Sequence, residues 1–187
     1  MESSSDTEWV GKIIGSKFKI ISPISHGAFG KVFLAINLKT GLEVAVKVEP
    51  LSADHPQLSF EAKLLRLLSG GSGVPELHWF GLEANHDILA MERLGPSIKE
   101  LSQGKPLSLK TVLMLGDQML QRIEYIHCRH FLHRDVKPAN FVLGIGPCSH
   151  IVYLIDFGLA KRFRDSKTGS LRPIAKGRGL LCSVFAS

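Results

Sequence analysis

The chain has 187 residues, 44% of them hydrophobic, with 23 Lys plus Arg against 17 Asp plus Glu, and its mean hydropathy is +0.12. That is enough length and apolar material for one cored domain, and it excludes disorder, a collagen repeat and a disulfide scaffold. The longest apolar runs, such as Val112-Leu113-Met114-Leu115, fall far short of the roughly 20 residues that a membrane-spanning helix needs, so no membrane partner is expected. The acidic start Met1-Glu2-Ser3-Ser4-Ser5-Asp6 has neither the basic nor the apolar region of a secretory signal. A reducing, cytoplasmic setting is the expectation, with nuclear entry left open. Cys128, Cys148 and Cys182 are odd in number, far apart and without a C-x-x-C pair, and read as structural. The formal excess of +6 lies wholly in the tail, where Lys161, Arg162, Arg164, Lys167, Arg172, Lys176 and Arg178 face Asp165 alone. Such a patch suits nucleic acid, an anionic surface or an acidic protein, or is a solvated surface segment.

In chain order, Phe18-Lys19-Ile20-Ile21 and Lys31-Val32-Phe33-Leu34-Ala35-Ile36 read as strands around a glycine-containing turn at Ser25 to Gly30. Glu43 to Val48 is a third strand, reached through the turn Asn37-Leu38-Lys39-Thr40-Gly41, and the short spacing predicts an antiparallel meander. Pro56 opens a helix carrying Leu58, Leu64, Leu65 and Leu68. Glu61 falls on its core-facing stripe, and a carboxylate there needs a buried cation. Gly70-Gly71-Ser72-Gly73 ends this helix, and Leu77 to Phe80 and Ile88 to Met91 complete a small sheet. From Ser108 to His130, Val112, Leu115, Met119, Ile123 and Ile126 recur at helical spacing. Asn140 to Leu143 and Ile151 to Ile155, with Gly144-Ile145-Gly146-Pro147 between them, predict a β-hairpin. The link Met91 to Pro96 is the candidate boundary between a β-rich and a helix-led part.

Four motifs carry chemistry. Ser25-His26-Gly27-Ala28-Phe29-Gly30-Lys31-Val32 fits part of a glycine-rich phosphate loop, in which missing side chains let backbone N–H groups approach phosphate; alone it is more often an ordinary tight turn. Val44-Ala45-Val46-Lys47 puts an ammonium at the end of a buried strand, and Glu61 is the acid that could hold it against phosphates. His133-Arg134-Asp135-Val136-Lys137-Pro138-Ala139-Asn140 unites what phosphoryl transfer requires: a carboxylate to accept the hydroxyl proton, a cation for the moving phosphoryl group and an amide oxygen for a metal. Asp156-Phe157-Gly158 follows a strand and supplies a second metal carboxylate, which the hairpin brings toward Asn140.

In this order the motifs resemble those of a eukaryotic protein kinase. His55-Pro56-Gln57-Leu58, Leu94-Gly95-Pro96-Ser97, Lys110 to Met119, Arg122 to His127 and Leu154 to Lys161 are similar to the casein kinase 1 family, whereas Thr168-Gly169 and Arg172-Pro173 look like its tau-tubulin kinase branch. The resemblance implies an α+β, protein-kinase-like fold: an antiparallel, β-rich N-lobe with one helix over 18–94, and the beginning of a helical C-lobe over 95–187, preceded by an extension over 1–17. It implies ATP and Mg2+ as cofactors. Lys47 would hold the α and β phosphates with Glu61 fixing it, Asp135 would be the catalytic base, and Lys137 the charge partner of the transferred group. Asn140 and Asp156 would hold magnesium. Ser25, Gly27 and Gly30 would cover the phosphates, Met91 would be the gatekeeper, the backbone of Glu92 and Leu94 would bind adenine, and Val32, Ala45 and Val142 would sandwich it.

Ser25 departs from the family's first loop glycine and Ala139 from its usual Asp, and neither change removes a phosphate or metal ligand. Family members continue from Cys182-Ser183-Val184-Phe185-Ala186-Ser187 into further helices. The chain is therefore expected to be C-terminally truncated, with apolar faces of the long helix left bare. The basic tail resembles the segment that favours acidic or already phosphorylated protein substrates. Two functions follow: a kinase acting on Ser or Thr, or an inactive nucleotide-binding or partner-binding fragment. Nucleic acid is disfavoured, since the tail offers only Phe163 and Phe185 for stacking.

Overall fold

The structure is a computed structural model and describes residues 8–27, 30–165 and 170–171. It divides into two compact units. One holds the described residues up to Ser69 together with Pro75–Leu94, and the other holds Gly70–Val74 and those from Gly95 on.

The first unit is a six-stranded antiparallel sheet, β1 (Ile13–Ile14), β2 (Phe18–Gly27), β3 (Gly30–Asn37), β4 (Glu43–Pro50), β5 (Leu77–Glu83) and β6 (His86–Glu92), with one helix, α1 (Leu58–Leu68). The strand order is β1-β2-β3-β4-β6-β5. The meander β2-β3-β4 expected from the turn residues is present, in a register that sets Val32 opposite Lys47 and Leu34 opposite Ala45. One face of the sheet is a core of Trp9, Ile14, Phe18, Ile20, Phe33, Ala35, Val44, Val46, Val48, Ile88 and Ala90. Trp9 and Ile14 lie within the 1–17 extension, and both are buried in this core. α1 packs along β5 and β6 with Leu58, Ala62, Leu64, Leu65 and Leu68 buried, as its leucine spacing requires. It begins two residues after Pro56.

The second unit is built on α3 (Leu109–Cys128), preceded by the short α2 (Ile98–Ser102). Four brief strands follow: β7 (Phe131–Leu132), β8 (Phe141–Leu143), β9 (Val152–Leu154) and β10 (Lys161–Arg162). β8 and β9 form the expected antiparallel hairpin, and β10 pairs antiparallel with β7. Ser108 caps α3 by accepting the Thr111 N–H at 3.1 Å. The Gln118 side chain ties α3 to the hairpin, its Oε1 accepting the Val152 N–H at 2.9 Å. Residues 70–74 join this unit through Arg122, whose guanidinium donates to the Ser72 carbonyl, and through Leu154 N–H donating to the Gly73 carbonyl at 2.9 Å. Gly73 has φ +71, and a Cβ there would lie 2.4 Å from the Val152 carbonyl oxygen, so the close approach requires glycine.

Within α3 only Arg122 and Ile126 are buried. Val112, from the expected apolar stripe, is exposed along with Leu109, Leu113, Met114 and Leu120. The bare apolar face expected of this helix is therefore present. Cys128, read as structural, is an exposed free thiol, and Cys148 is half-buried; Cys182 lies outside the described residues. No helix among the described residues is long and apolar enough to cross a membrane.

Candidate active site

In the first unit the alternation of β4 sends Val44, Val46 and Val48 into the core and leaves Ala45, Lys47 and Glu49 for the opposite face. Lys47 Nζ donates to Glu61 Oε2 at 2.7 Å, and both residues are buried. The cation that the buried carboxylate of α1 demands thus comes from β4, and the pair fixes the ammonium at one place on the sheet. Ala45 is buried and stands opposite Met91 across β4 and β6, while Val32 is half-buried on β3. The Glu92 N–H donates to the Glu76 carbonyl at 2.8 Å, so what the Glu92 backbone could offer an adenine is its carbonyl. Leu94 closes the unit, half-buried.

The glycine-containing turn is a β2–β3 hairpin in which Ser25 pairs with Val32 and Gly27 with Gly30. Ala28 and Phe29 lie outside the described residues. Gly30 has φ +132, and a Cβ there would stand 2.5 Å from the Val48 carbonyl oxygen. A side chain at Gly30 would clash with β4, so its glycine has a packing reason besides any phosphate.

In the second unit the segment 133–140 gathers its polar groups on one carboxylate. Asp135 is 5% exposed. Its Oδ2 accepts from Lys137 Nζ at 2.6 Å and from Asn140 Nδ2 at 2.9 Å, and Asn140 Nδ2 also donates to the Asp135 carbonyl at 2.8 Å. Buried polar groups persist only when bonded in this way, and the bonds fix the carboxylate's orientation. With Nδ2 committed to Asp135, the Asn140 amide presents its Oδ1 as a hard oxygen donor. The Ile155 N–H donates to the Asn140 carbonyl at 3.0 Å, which with the β8–β9 ladder brings Asp156 beside Asn140. Asp156 stands in the left-handed region, φ 65, at the start of a 3-10 turn over Phe157–Leu159. A carboxylate and an amide oxygen carried on neighbouring backbone are donor chemistry that suits magnesium, which takes few protein ligands and completes its shell with water and phosphate oxygens. Val142 is buried on β8.

His133 supports this loop. Its Nε2 bonds the Ile155 carbonyl at 2.9 Å, and its Nδ1 accepts the Asp135 N–H at 3.3 Å. Accepting at Nδ1 requires the neutral ring, and burial, the main cause, holds its pKa below the ordinary value against the opposing backbone bond to Ile155 and the charges of Asp156 and Asp135. The ring meets Phe157 edge-on, centroids 5.3 Å apart. Arg134, φ 69, donates from Nε to the Leu159 carbonyl at 2.6 Å. So His133 and Arg134 tie the Asp135 loop to the segment on both sides of Asp156. The burial of His133 could be anticipated from its place in the motif, but its contact with Phe157, 24 positions on, has no local signal. The remainder of the basic tail, Lys167, Arg172, Lys176 and Arg178, together with Phe185, lies outside the described residues.

The sequence model of the protein kinase domain matches residues 18–176, most of the chain. It spans the β2–β3 hairpin, the Lys47–Glu61 pair, the loop around Asp135 and the Asp156 turn. The antiparallel, β-rich first unit with one helix and the helix-led second unit are the α+β arrangement of that fold. The chain belongs to the protein kinase family, whose domain binds ATP and is a phosphotransferase acting on protein.

Proposed function

We propose that this protein is a serine/threonine kinase of casein kinase 1 type, transferring the γ-phosphoryl group of Mg-ATP to acidic or already phosphorylated protein substrates. The observation that carries the reading is the cluster on Asp135: a buried carboxylate, oriented by Asn140 and bonded to Lys137. Asp135 accepts the proton of the attacking hydroxyl as its oxygen approaches phosphorus. Lys137, only two residues away and half-exposed, balances negative charge on the transferring group. Asn140 Oδ1 and the Asp156 carboxylate would hold magnesium, which when bound neutralises phosphate oxygens. In the first unit Lys47, held by Glu61, would position the α and β phosphates, and the Glu92 carbonyl and Leu94 N–H would take the adenine edge. The casein kinase 1 assignment rests on the quoted sequence resemblances, and the preference for acidic substrates on the cationic tail.

A second reading, a nucleotide-binding or partner-binding module that transfers nothing, draws on the exposed apolar residues of α3. One experiment separates the two. Labelled ATP, magnesium and casein are incubated with the chain and with its Asp135→Asn variant, and a basic protein replaces casein in a parallel arm. Transfer should fall by at least about a hundredfold in the variant and should favour casein. Equal signals from the two chains would remove the catalytic reading, and a preference for the basic protein would remove the substrate class.

A further inference from the structure

Glu49 lies two residues beyond Lys47 on the same face of β4 and is 3% exposed. Its Oε2 accepts two backbone N–H groups, from Gln57 and Leu58, each at 2.8 Å. These are the cap and first residues of α1, whose N–H groups have no partner within the helix. The helix has no local cap: the Gln57 side chain makes no capping bond, and its buried Oε1 has no hydrogen-bond partner among the described residues. An anion at this end is also favoured by the helix dipole.

β4 therefore holds α1 at two points. Glu49 holds residues 57 and 58, and Lys47 holds Glu61, about one helical turn further on. We infer that Glu49 is a positioning residue for the Lys47–Glu61 pair: by fixing where α1 begins, it fixes which way Glu61 faces and so where the Lys47 ammonium is presented. Without that carboxylate the two amides lose their partner in a buried place, and the first turn of α1 shifts or frays. Glu61 stands in that turn. The consequence for phosphate transfer rests on the kinase reading above; the geometric claim does not.

The test reads Lys47 itself. The whole chain is treated briefly with an acylating reagent, and modification of Lys47 is followed by mass spectrometry in wild type, Glu49→Ala, Glu49→Gln, Glu61→Gln and the Glu49→Ala/Glu61→Gln double variant. Glu49→Ala should raise the rate at Lys47 by about tenfold. Glu49→Gln keeps an acceptor oxygen and should return most of the protection, leaving a rise of about threefold. In the Glu61→Gln background, where the pair is already broken, Glu49→Ala should add little. A merely structural role would raise labelling by the same factor in both backgrounds, and Trp9 fluorescence, from the buried core, reports whether the sheet is folded. An unchanged rate in Glu49→Ala, or equal increments in the two backgrounds, overturns the inference; if Glu49→Ala does not fold, an unchanged rate in Glu49→Gln does so. Transfer to casein is measured beside it, so a wild type no better than Asp135→Asn would remove the kinase reading while leaving the labelling result to decide on Glu49.

Discussion

Each unit has a lysine bonded to a carboxylate among its candidate site residues, and the two pairs are built to opposite ends. Lys47–Glu61 spans 2.7 Å with side chains 10% and 2% exposed, while Lys137–Asp135 spans 2.6 Å with side chains 40% and 6% exposed. The first joins a strand to a helix across 14 positions of sequence, and the second lies within one loop, two positions apart. Burying both charges costs solvation that their mutual bond helps to offset, so the first pair behaves as a structural tie and holds its lysine in one place. In the second, only the acid is buried. Its lysine reaches water and can change rotamer at little cost, and on the proposed function it would follow a phosphoryl group from one oxygen to another.

The comparison breaks most visibly at Glu61. Glu61→Gln leaves the Lys47 ammonium buried without its carboxylate, and truncating one partner of such a pair costs about 3–5 kcal/mol. Urea unfolding followed through Trp9 and Trp79, both in the first unit, should show the midpoint fall accordingly. The double variant Lys47→Met/Glu61→Leu should recover most of that stability, because an apolar pair removes the desolvation cost along with the bond. It should not recover transfer. A Glu61→Gln chain as stable as wild type would mean that the pair is no tie at all.

This tie was legible in the sequence because helical spacing put a carboxylate among leucines, and a buried carboxylate calls for a cation. The neighbourhood of Asn140 and Asp156 was legible for a different reason: two short apolar runs around a Gly-Pro turn make a hairpin, and the hairpin sets its ends side by side. Other features had weaker signals. β1 is two residues long and has no period to detect, and Trp9 stands outside any strand, so the residues before Phe18 look peripheral although Trp9 and Ile14 belong to the core. Glu49 was silent because its partners are backbone groups, which leave no mark in the side-chain pattern. α2 did carry a signal. Ser97-Ile98-Lys99-Glu100 is a capping box, in which the Ser97 Oγ accepts the Glu100 N–H at 3.1 Å and the Glu100 carboxylate accepts the Ser97 N–H at 2.7 Å. This helix is absent from the expectations drawn above, although the motif would have placed it.

A smaller effect sharpens the contrast from the side of the second unit. His133 is held neutral in the fold, mainly by burial, so its folded pKa lies below the value of about 6.5 for a free imidazole. The unfolded chain therefore binds this proton at a pH where the folded chain does not. Its contribution to stability is complete above about pH 6.5 and is lost as the pH falls from there toward the folded pKa. Wild type should lose more stability than His133→Gln between about pH 7.5 and 5.5, by the linkage of at most one proton. Denaturant midpoints taken across this range would check it, and parallel losses in the two chains would assign the acid sensitivity to other groups.

The smallest change in stability is expected at Lys137. Lys137→Met removes a half-exposed cation from a carboxylate that still accepts the Asn140 amide, so the unfolding free energy should move by less than about 1 kcal/mol. Transfer should nevertheless fall by about a hundredfold, the usual size of losing one charge-stabilising group at a reacting centre. On the proposed function the loss should appear in kcat rather than in the KM for ATP, because Lys137 would meet charge that develops during transfer. Glu61→Gln should instead move stability, kcat and KM together. The two lysines are thus told apart by which quantities change: a destabilisation by Lys137→Met as large as that by Glu61→Gln would mean that both pairs are structural ties, and that exposure does not distinguish the lysine that holds from the lysine that moves.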